Sequence, residues 1–394
     1  MMRARAVVIG GGAVGASCFY HLIQRGLRDV LLVEQAGLAA GSSGRSAAVV
    51  ETQYLAPEKI ALCGRSMALF RRFERDHGLP FVHHGYLRLG HSAEDLERFQ
   101  RSVEIQREYG VSDARVLDRA EVRHQVPDLH VEDLAGALFG PSDGYIDPVR
   151  LCELFVQLGK EGGGQAWLGR RVTDIRVRSG RVAGVVCGAE EIACETVVNA
   201  AGAWARPVGR LAGVELPVDG YRRQIVIFEP PEPFARPVPM IVDYVPVIER
   251  EGLYFRDDTP RRLIAGLHWE GHGDWERPEV ADAFRLDADW DYAARVAELL
   301  SARYPPASRF TAQGGWAGLY PLTPDSEPII GEIPGLPGLY NAIGAGGVGV
   351  QTSPAIGAVV ADLVTSGRTS VVPSLEGYRL ERFRPTPSRP ATTG

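Results

Sequence analysis

Ala6-Val7-Val8-Ile9-Gly10-Gly11-Gly12-Ala13-Val14-Gly15 is the stretch that decides the fold. Four apolar residues suit a strand buried on both faces, and a G-x-G-x-x-G run follows them directly. Ala13 to Arg25 then keeps helical spacing, with Gly26 where a C-terminal cap belongs. Val30 to Val33 is a second buried apolar run. This is strand, turn, helix, strand, the start of a βαβ unit. Gly10 permits the tight turn, Gly12 lets backbone approach a pyrophosphate, and Gly15 lets helix and strand pack closely. The helix N-terminus faces the phosphate charge. Glu34 ends the second strand, about 20 residues on, where a carboxylate accepts hydrogen bonds from ribose hydroxyls. A 2′-phosphate would meet that negative charge. NADP is therefore excluded, while NAD and FAD both stay open.

The 394 residues exceed what one core usually serves, so two lobes are expected. Lys and Arg total 43 against 49 Asp and Glu, a net charge of −6, and the arginines are interspersed with acids. That distribution gives no footprint for nucleic acid. Five cysteines form no CxxC pair and no Cys/His cluster, which reads as reduced thiols and a cytoplasmic location. The N-terminal glycines fall in a dinucleotide pattern, so no signal peptide is expected. No apolar run approaches the ~20 residues of a membrane span.

Farther along, Leu87 and Leu89 suggest a strand, and Ala93 to Tyr109 an amphipathic helix with apolar Leu96, Phe99, Val103 and Ile105. A helix is expected from Val149 to Leu158, after Asp147-Pro148, and strands at Val172 to Val177, Val182 to Val186 and Thr196 to Asn199. Strand-like segments follow at Gln224 to Phe228, Val245 to Ile248, Leu253 to Arg256 and Leu263 to Leu267, with a helix from Tyr292 to Ser301. Ser353 and Pro354 read as N-cap and first residue of a helix running to Thr365.

Three further segments carry a family resemblance: Gly41-Ser42-Ser43-Gly44-Arg45-Ser46-Ala47-Ala48, Val197-Val198-Asn199-Ala200-Ala201-Gly202-Ala203-Trp204, and Gly318-Leu319-Tyr320 through Thr323-Pro324-Asp325 with Gly344 to Gly349 and Ser353-Pro354. In order and spacing they resemble the D-amino-acid-oxidase-like flavoproteins, a family that includes sarcosine oxidases, glycine oxidases and D-amino-acid dehydrogenases. The resemblance implies FAD and an α/β fold. It has a Rossmann-type FAD-binding domain (1–84, 142–216 and 322–372) and an interleaved α+β substrate domain (85–141 and 217–321) on a mixed or antiparallel sheet. Residues 385–394 are expected to form a flexible tail.

On this resemblance the cofactor meets Gly10, Gly12, Ala13, Val14, Gly15, Glu34 and Gln35. It also meets Ser42, Ser43, Gly44, Arg45, Ser46 and Ala47, then Val172 through main-chain atoms, then Ala200, Ala201, Gly202 and Trp204. Gly346, Gly347, Val348, Gly349, Val350 and Gln351 complete the set. Relatives that bind flavin covalently carry the cysteine where this chain has Gly318, or the histidine where it has Gly44-Arg45. FAD is therefore expected to be non-covalent.

The implied reaction is hydride removal from the carbon beside the nitrogen of a small amine or amino acid, giving an imine. Tyr254 and His268 resemble substrate-facing positions, and His268 is expected to accept the amine proton or bond a carboxylate. Arg223 suits a carboxylate or the cofactor. Tyr320 and Gln351 stand where relatives carry an arginine and a lysine, which weighs against a free α-carboxylate. Ile264 stands where oxygen-activating relatives carry lysine. His268-Trp269-Glu270-Gly271-His272 is not a zinc motif, and no metal is expected. The rival readings are an NAD-dependent dehydrogenase and a flavin-bearing subunit of a hetero-oligomeric dehydrogenase. The electron acceptor is unknown.

Overall fold

The computed structural model describes residues 2–244, 251–269 and 278–383. The expected strand at Val245 to Ile248 and the tail at 385–394 lie outside them.

The first sheet has six strands in the order Gln165–Trp167, Val30–Val33, Ala6–Ile9, Thr196–Asn199, Leu339–Ile343 and Ile329–Glu332. All neighbours are parallel except the last pair. The neighbouring apolar strands Val30–Val33 and Ala6–Ile9 are buried on both faces, as continuous apolar runs require. On one face of the sheet lie the helices Ala13–Gln24, Pro148–Glu161 and Gly349–Ser366, whose apolar side chains join it in one core. Gly15 makes the helix–strand approach possible: a Cβ there would stand 2.0 Å from the Gly10 carbonyl oxygen.

The second sheet has eight strands, from Thr311–Leu322 through Asp219–Glu229, Arg262–Trp269, Glu251–Thr259, Met240–Asp243, Tyr86–Gly90 and Gly136–Gly140 to Arg115–Asp118. It is mixed, because Met240–Asp243 runs parallel to Tyr86–Gly90 while the other pairs are antiparallel. Helix Trp290–Arg303 packs on one side and sends the Tyr292 hydroxyl into the sheet. That hydroxyl accepts from the Leu267 amide at 2.7 Å and donates to the Gln224 carbonyl at 3.0 Å. The ladder between Asp219–Glu229 and Arg262–Trp269 accordingly holds only from Val226 to Phe228. Beyond Val226 the two strands are bridged by a side chain, beside Arg223 and His268.

Three expectations need correction. The C-terminal helix begins at Gly349, and Pro354 lies inside it. Ser353 is not its cap; its hydroxyl donates to the Val350 carbonyl at 2.9 Å, the acceptor that Pro354, lacking an N–H, leaves unmet. Together with the preceding turn, Gly346–Ser366 is 21 residues long and by length and composition could cross a bilayer. Two-thirds of its most apolar window is buried inside the protein, so it serves here as a core helix. Helix Ala93–Glu108 buries Gln106 where Ile105 was expected, because Gln106 bonds Thr52 at 2.9 Å and Ser102 at 3.0 Å.

Candidate active site

A cavity of about 670 Å³ runs from the Gly10–Val14 turn to Tyr254 and Tyr320. Its walls begin with backbone. Gly10 has φ +116, and a Cβ there would lie 2.5 Å from the Ala200 carbonyl, so only glycine fits the turn. Glu34 folds back: its carboxylate accepts from the Gly11 amide at 2.6 Å and the Ala36 amide at 2.7 Å while facing the cavity. Ser43 accepts from the Ala13 amide at 3.0 Å, tying the 42–47 loop to the helix N-terminus.

That loop is also held by the other sheet. Ser42 donates to the Leu319 carbonyl, the Trp316 indole donates to the Arg45 carbonyl at 2.8 Å, and Arg256 donates to the Ala47 carbonyl at 3.0 Å. The Arg45 side chain turns back onto the carbonyls of Ala40 and Gly41.

Of the expected cofactor residues, Gly10, Gly12, Ala13, Val14, Glu34, Gln35, Ser42, Ser43, Arg45, Ser46, Ala47 and Val172 line the cavity. So do Ala200, Ala201, Gly202, Trp204, Gly346, Gly347, Gly349 and Val350. Gly15, Gly44, Val348 and Gln351 do not. Gly15 and Gly44 are packing glycines, the latter because a Cβ would stand 2.6 Å from the Ala39 carbonyl. Gln351 turns to a buried network, where its Oε1 accepts from the Glu51 amide at 3.0 Å and its Nε2 donates to the Tyr54 hydroxyl at 2.6 Å.

Among the expected substrate residues, Tyr254, Arg223 and Tyr320 meet at the inner end of the cavity. The Arg223 guanidinium lies 5.3 Å from the Tyr320 ring centroid, and the Tyr254 ring covers Gly266, where a Cβ would stand 2.4 Å from its hydroxyl. The Tyr320 ring lies on Gly347, which has no side chain to obstruct it. Arg222 is separate, bonded to the Arg285 carbonyl at 3.0 Å and Asp289 at 2.8 Å.

His268 is not in the cavity lining. It stacks on Tyr244, and burial, then the charges of Arg223, Arg88 and Lys59, push its imidazole down to about 3. An imidazole so poorly basic does not take a proton from an ammonium group. These surroundings favour the neutral imidazole and weigh against the expected base role.

The sequence reading missed the strip at Ala281, Asp282, Phe284 and Leu286, which crosses the cavity wall opposite the glycine turn. Asp282 accepts from the Trp204 indole at 2.6 Å and pairs with Arg171 at 3.0 Å. No local motif marks it: it is a turn and loop brought there by the Leu286 carbonyl, which accepts from the Ala317 amide, and by the bridge from Asp287 to Trp316.

A glycine turn against a helix N-terminus, a ribose-side carboxylate and a long cavity bounded by a second sheet define a dinucleotide-binding site. Residues 5–363 match the family model described as "DAO: FAD dependent oxidoreductase", and the chain belongs to that family. The NAD-dependent alternative falls with that match. The lining contains no cysteine and no histidine among the described residues, and all five cysteines are buried and unbridged; the cavity holds FAD without a covalent link.

The chain is 28% identical to mitochondrial sarcosine dehydrogenase of Homo sapiens over 96% of its length, and 26% identical to sarcosine oxidase subunit beta of Rhizobium meliloti over 96%. The alignments take in 41% of the first relative and 88% of the second. The chain therefore spans about two-fifths of the length of the dehydrogenase. Among solved structures, L-proline dehydrogenase from P. horikoshii superposes with a TM-score of 0.85 at 28% identity, covering 97% of this chain and 98% of that one.

Proposed function

We propose that this flavoprotein oxidises the C–N bond of a small amine or amino acid. The carrying observation is the convergence of Arg223, Tyr254 and Tyr320 at the inner end of the FAD cavity, beside His268. When bound, FAD supplies the hydride acceptor, so the protein's part is to orient the substrate and keep its nitrogen unprotonated. The surroundings that hold His268 neutral act on a substrate nitrogen in the same way: cations and low polarity disfavour the ammonium form. No side-chain base is then required. The tyrosine rings and Gly266 shape an apolar seat for the carbon that loses hydride, with Arg223 and Tyr320 bounding it on the cofactor side.

The names of the relatives support an N-substituted amino acid as substrate, since sarcosine and proline are both secondary amines. The likeness to a chain named subunit beta supports a second arrangement, in which this chain works beside a partner polypeptide. Five buried thiols fit a reducing compartment.

Anaerobic mixing of the holoenzyme with secondary amines and with L- and D-amino acids tests the reading. Bleaching of the flavin band by at least one of them is expected. Bleaching by none, with dithionite still reducing the flavin, overturns it.

A further inference from the structure

The substrate face of the eight-stranded sheet carries a buried ion pair that lies outside the cofactor cavity lining. Arg88, on strand Tyr86–Gly90, is 2% exposed and Glu51 is 3% exposed. Their nearest atoms, an Arg88 terminal nitrogen and Glu51 Oε1, are 4.0 Å apart, beyond hydrogen-bond length. The other Glu51 oxygen is occupied by the Gln53 amide.

Arg88 donates to the Tyr86 hydroxyl at 3.2 Å and reaches the Tyr244 carbonyl only at 3.5 Å. Its Nε has no hydrogen-bond partner among the described residues. The guanidinium is flanked by the Tyr86 and Tyr244 rings, each 5.4 Å from centroid to central carbon. A five-donor cation is thus held out of water with much of its fork unmet, an arrangement that costs stability unless an anion completes it.

Register places this group relative to the reaction centre. Arg88 pairs with Val242, Val242 with Tyr254, and Tyr254 with Gly266, so the four form one row across four strands with side chains on one face. Tyr254 lines the FAD cavity. His268, two residues along its strand from Gly266, stacks on Tyr244, which directly follows strand Met240–Asp243 and packs with Val242 and Tyr254. Arg88 therefore lies at the end of the row away from the flavin, with the aromatic seat between them. Glu51 is fixed from the other side by Gln351, which follows the cavity-lining Val350.

We propose that Arg88 is a carboxylate-binding residue of the substrate site, with Glu51 as a resident counter-charge that the incoming carboxylate displaces from partnership. The proposal rests on the reading of the chain as an amine or amino-acid oxidoreductase and narrows its substrates to those bearing an acid group. A guanidinium fork matches two carboxylate oxygens in one plane. With the nitrogen-bearing carbon at Tyr254 near the flavin, the acid group points along the row to Arg88. Glu51 then has an unusual effect for a buried partner: it competes with the substrate, and its neutralisation tightens carboxylate binding.

The test is titration of the holoenzyme with acetate, propionate and the neutral shape match acetamide, read by calorimetry and by the flavin absorption spectrum. Both acids bind the wild type and acetamide does not. Glu51→Gln lowers the acetate Kd by about tenfold, roughly 1.4 kcal/mol. The double variant Arg88→Gln/Glu51→Gln, which leaves no lone buried charge, keeps its flavin and melting temperature but no longer distinguishes acetate from acetamide. Equal binding of acid and amide by the wild type overturns the proposal. So does wild-type acetate affinity in the double variant, or loss of acetate binding only in Arg223→Gln. The two readings fail apart. If a secondary amino acid bleaches the flavin while Arg88 proves irrelevant to the acid, only this proposal falls; if nothing bleaches it while acetate still requires Arg88, only the oxidation reading does.

Discussion

The Tyr244 ring lies parallel to the His268 imidazole, with centroids 4.6 Å and planes 11° apart. Stacking of that kind holds a ring in place without giving it a proton partner. Burial and the charges of Arg223, Arg88 and Lys59 push His268 down to about 3 and so favour its neutral form. The ionisation expected in flavin reduction is then that of the substrate nitrogen. His268→Asn should keep the wild-type apparent pKa in the stopped-flow pH profile, with a rate loss below the ~10²-fold typical of a lost general base. An apparent pKa that vanishes in the variant would restore His268 as the titrating group.

A second histidine sets an acid limit on stability. Burial, then the charges of Arg25 and Arg72, lower His21 to about 3, whereas in the unfolded chain it titrates near ~6.5. Between those values the unfolded chain takes up a proton that the folded chain refuses, so stability falls as pH drops from about 6.5 toward 3. His268 adds to the same slope. The midpoint of urea unfolding should decline through this window, and His21→Gln should flatten the decline. An unchanged slope in the variant would place the linkage elsewhere.

Gly12 and Gly15 should fail differently when changed. A Cβ at Gly12 meets only Ser43 Oγ, at 3.1 Å, so Gly12→Val folds but fills the pyrophosphate approach and purifies without flavin. Gly15→Val drives a side chain into the Gly10 carbonyl, 2.0 Å from the new Cβ, and should not give soluble folded protein. Circular dichroism and bound-flavin absorbance separate the two outcomes. A yellow Gly12→Val protein with full FAD would remove the N-terminal turn from the cofactor site.

Much of this was legible because the Rossmann turn is encoded locally. Gly10, Gly12 and Gly15 stand within six residues between two apolar runs, so the turn is readable from a short window, and the strand expected at Thr196–Asn199 is found at those residues. Helix Pro57–His77 went unread although its signals were present: Pro57 at the first turn, and Gly78 at φ +64 as the stop. Ser353-Pro354 misled for the opposite reason. The pair has good cap chemistry, but packing carries the helix back to Gly349, and the serine hydroxyl repairs the bond the proline omits. Asp282, Glu51 and Arg88 could not have been grouped with the site from sequence, since sheet register and loop closure bring them there.

Oxygen should be a poor acceptor. Ile264 is buried on strand Arg262–Trp269, opposite Arg256 and Ile227, and a hydrocarbon side chain offers no charge to stabilise reduced oxygen. Reoxidation of the reduced enzyme in aerated buffer should be slower than with an artificial dye acceptor. Ile264→Lys tests the site in reverse. Faster reoxidation by dye than by oxygen in wild type is the expected ordering, and the opposite ordering would sink the assignment.

Tyr292 offers the sharpest separation of fold from function. Its hydroxyl replaces a backbone ladder bond, meeting the Leu267 amide and the Gln224 carbonyl from inside the core. Tyr292→Phe keeps the ring but leaves a buried donor and a buried acceptor to find partners, a loss of about 1–3 kcal/mol. The two strands can recover part of that only by closing the ladder past Val226, which pulls Arg223 toward His268 and narrows the space beside Tyr254. Two readouts should therefore move together: a lower unfolding midpoint, and a raised KM for the reducing substrate at unchanged FAD content. Loss of stability with KM unchanged would mean that the strands stay apart without the hydroxyl. In that case the opening beside Arg223 is set by the strands themselves, and Tyr292 only fills it.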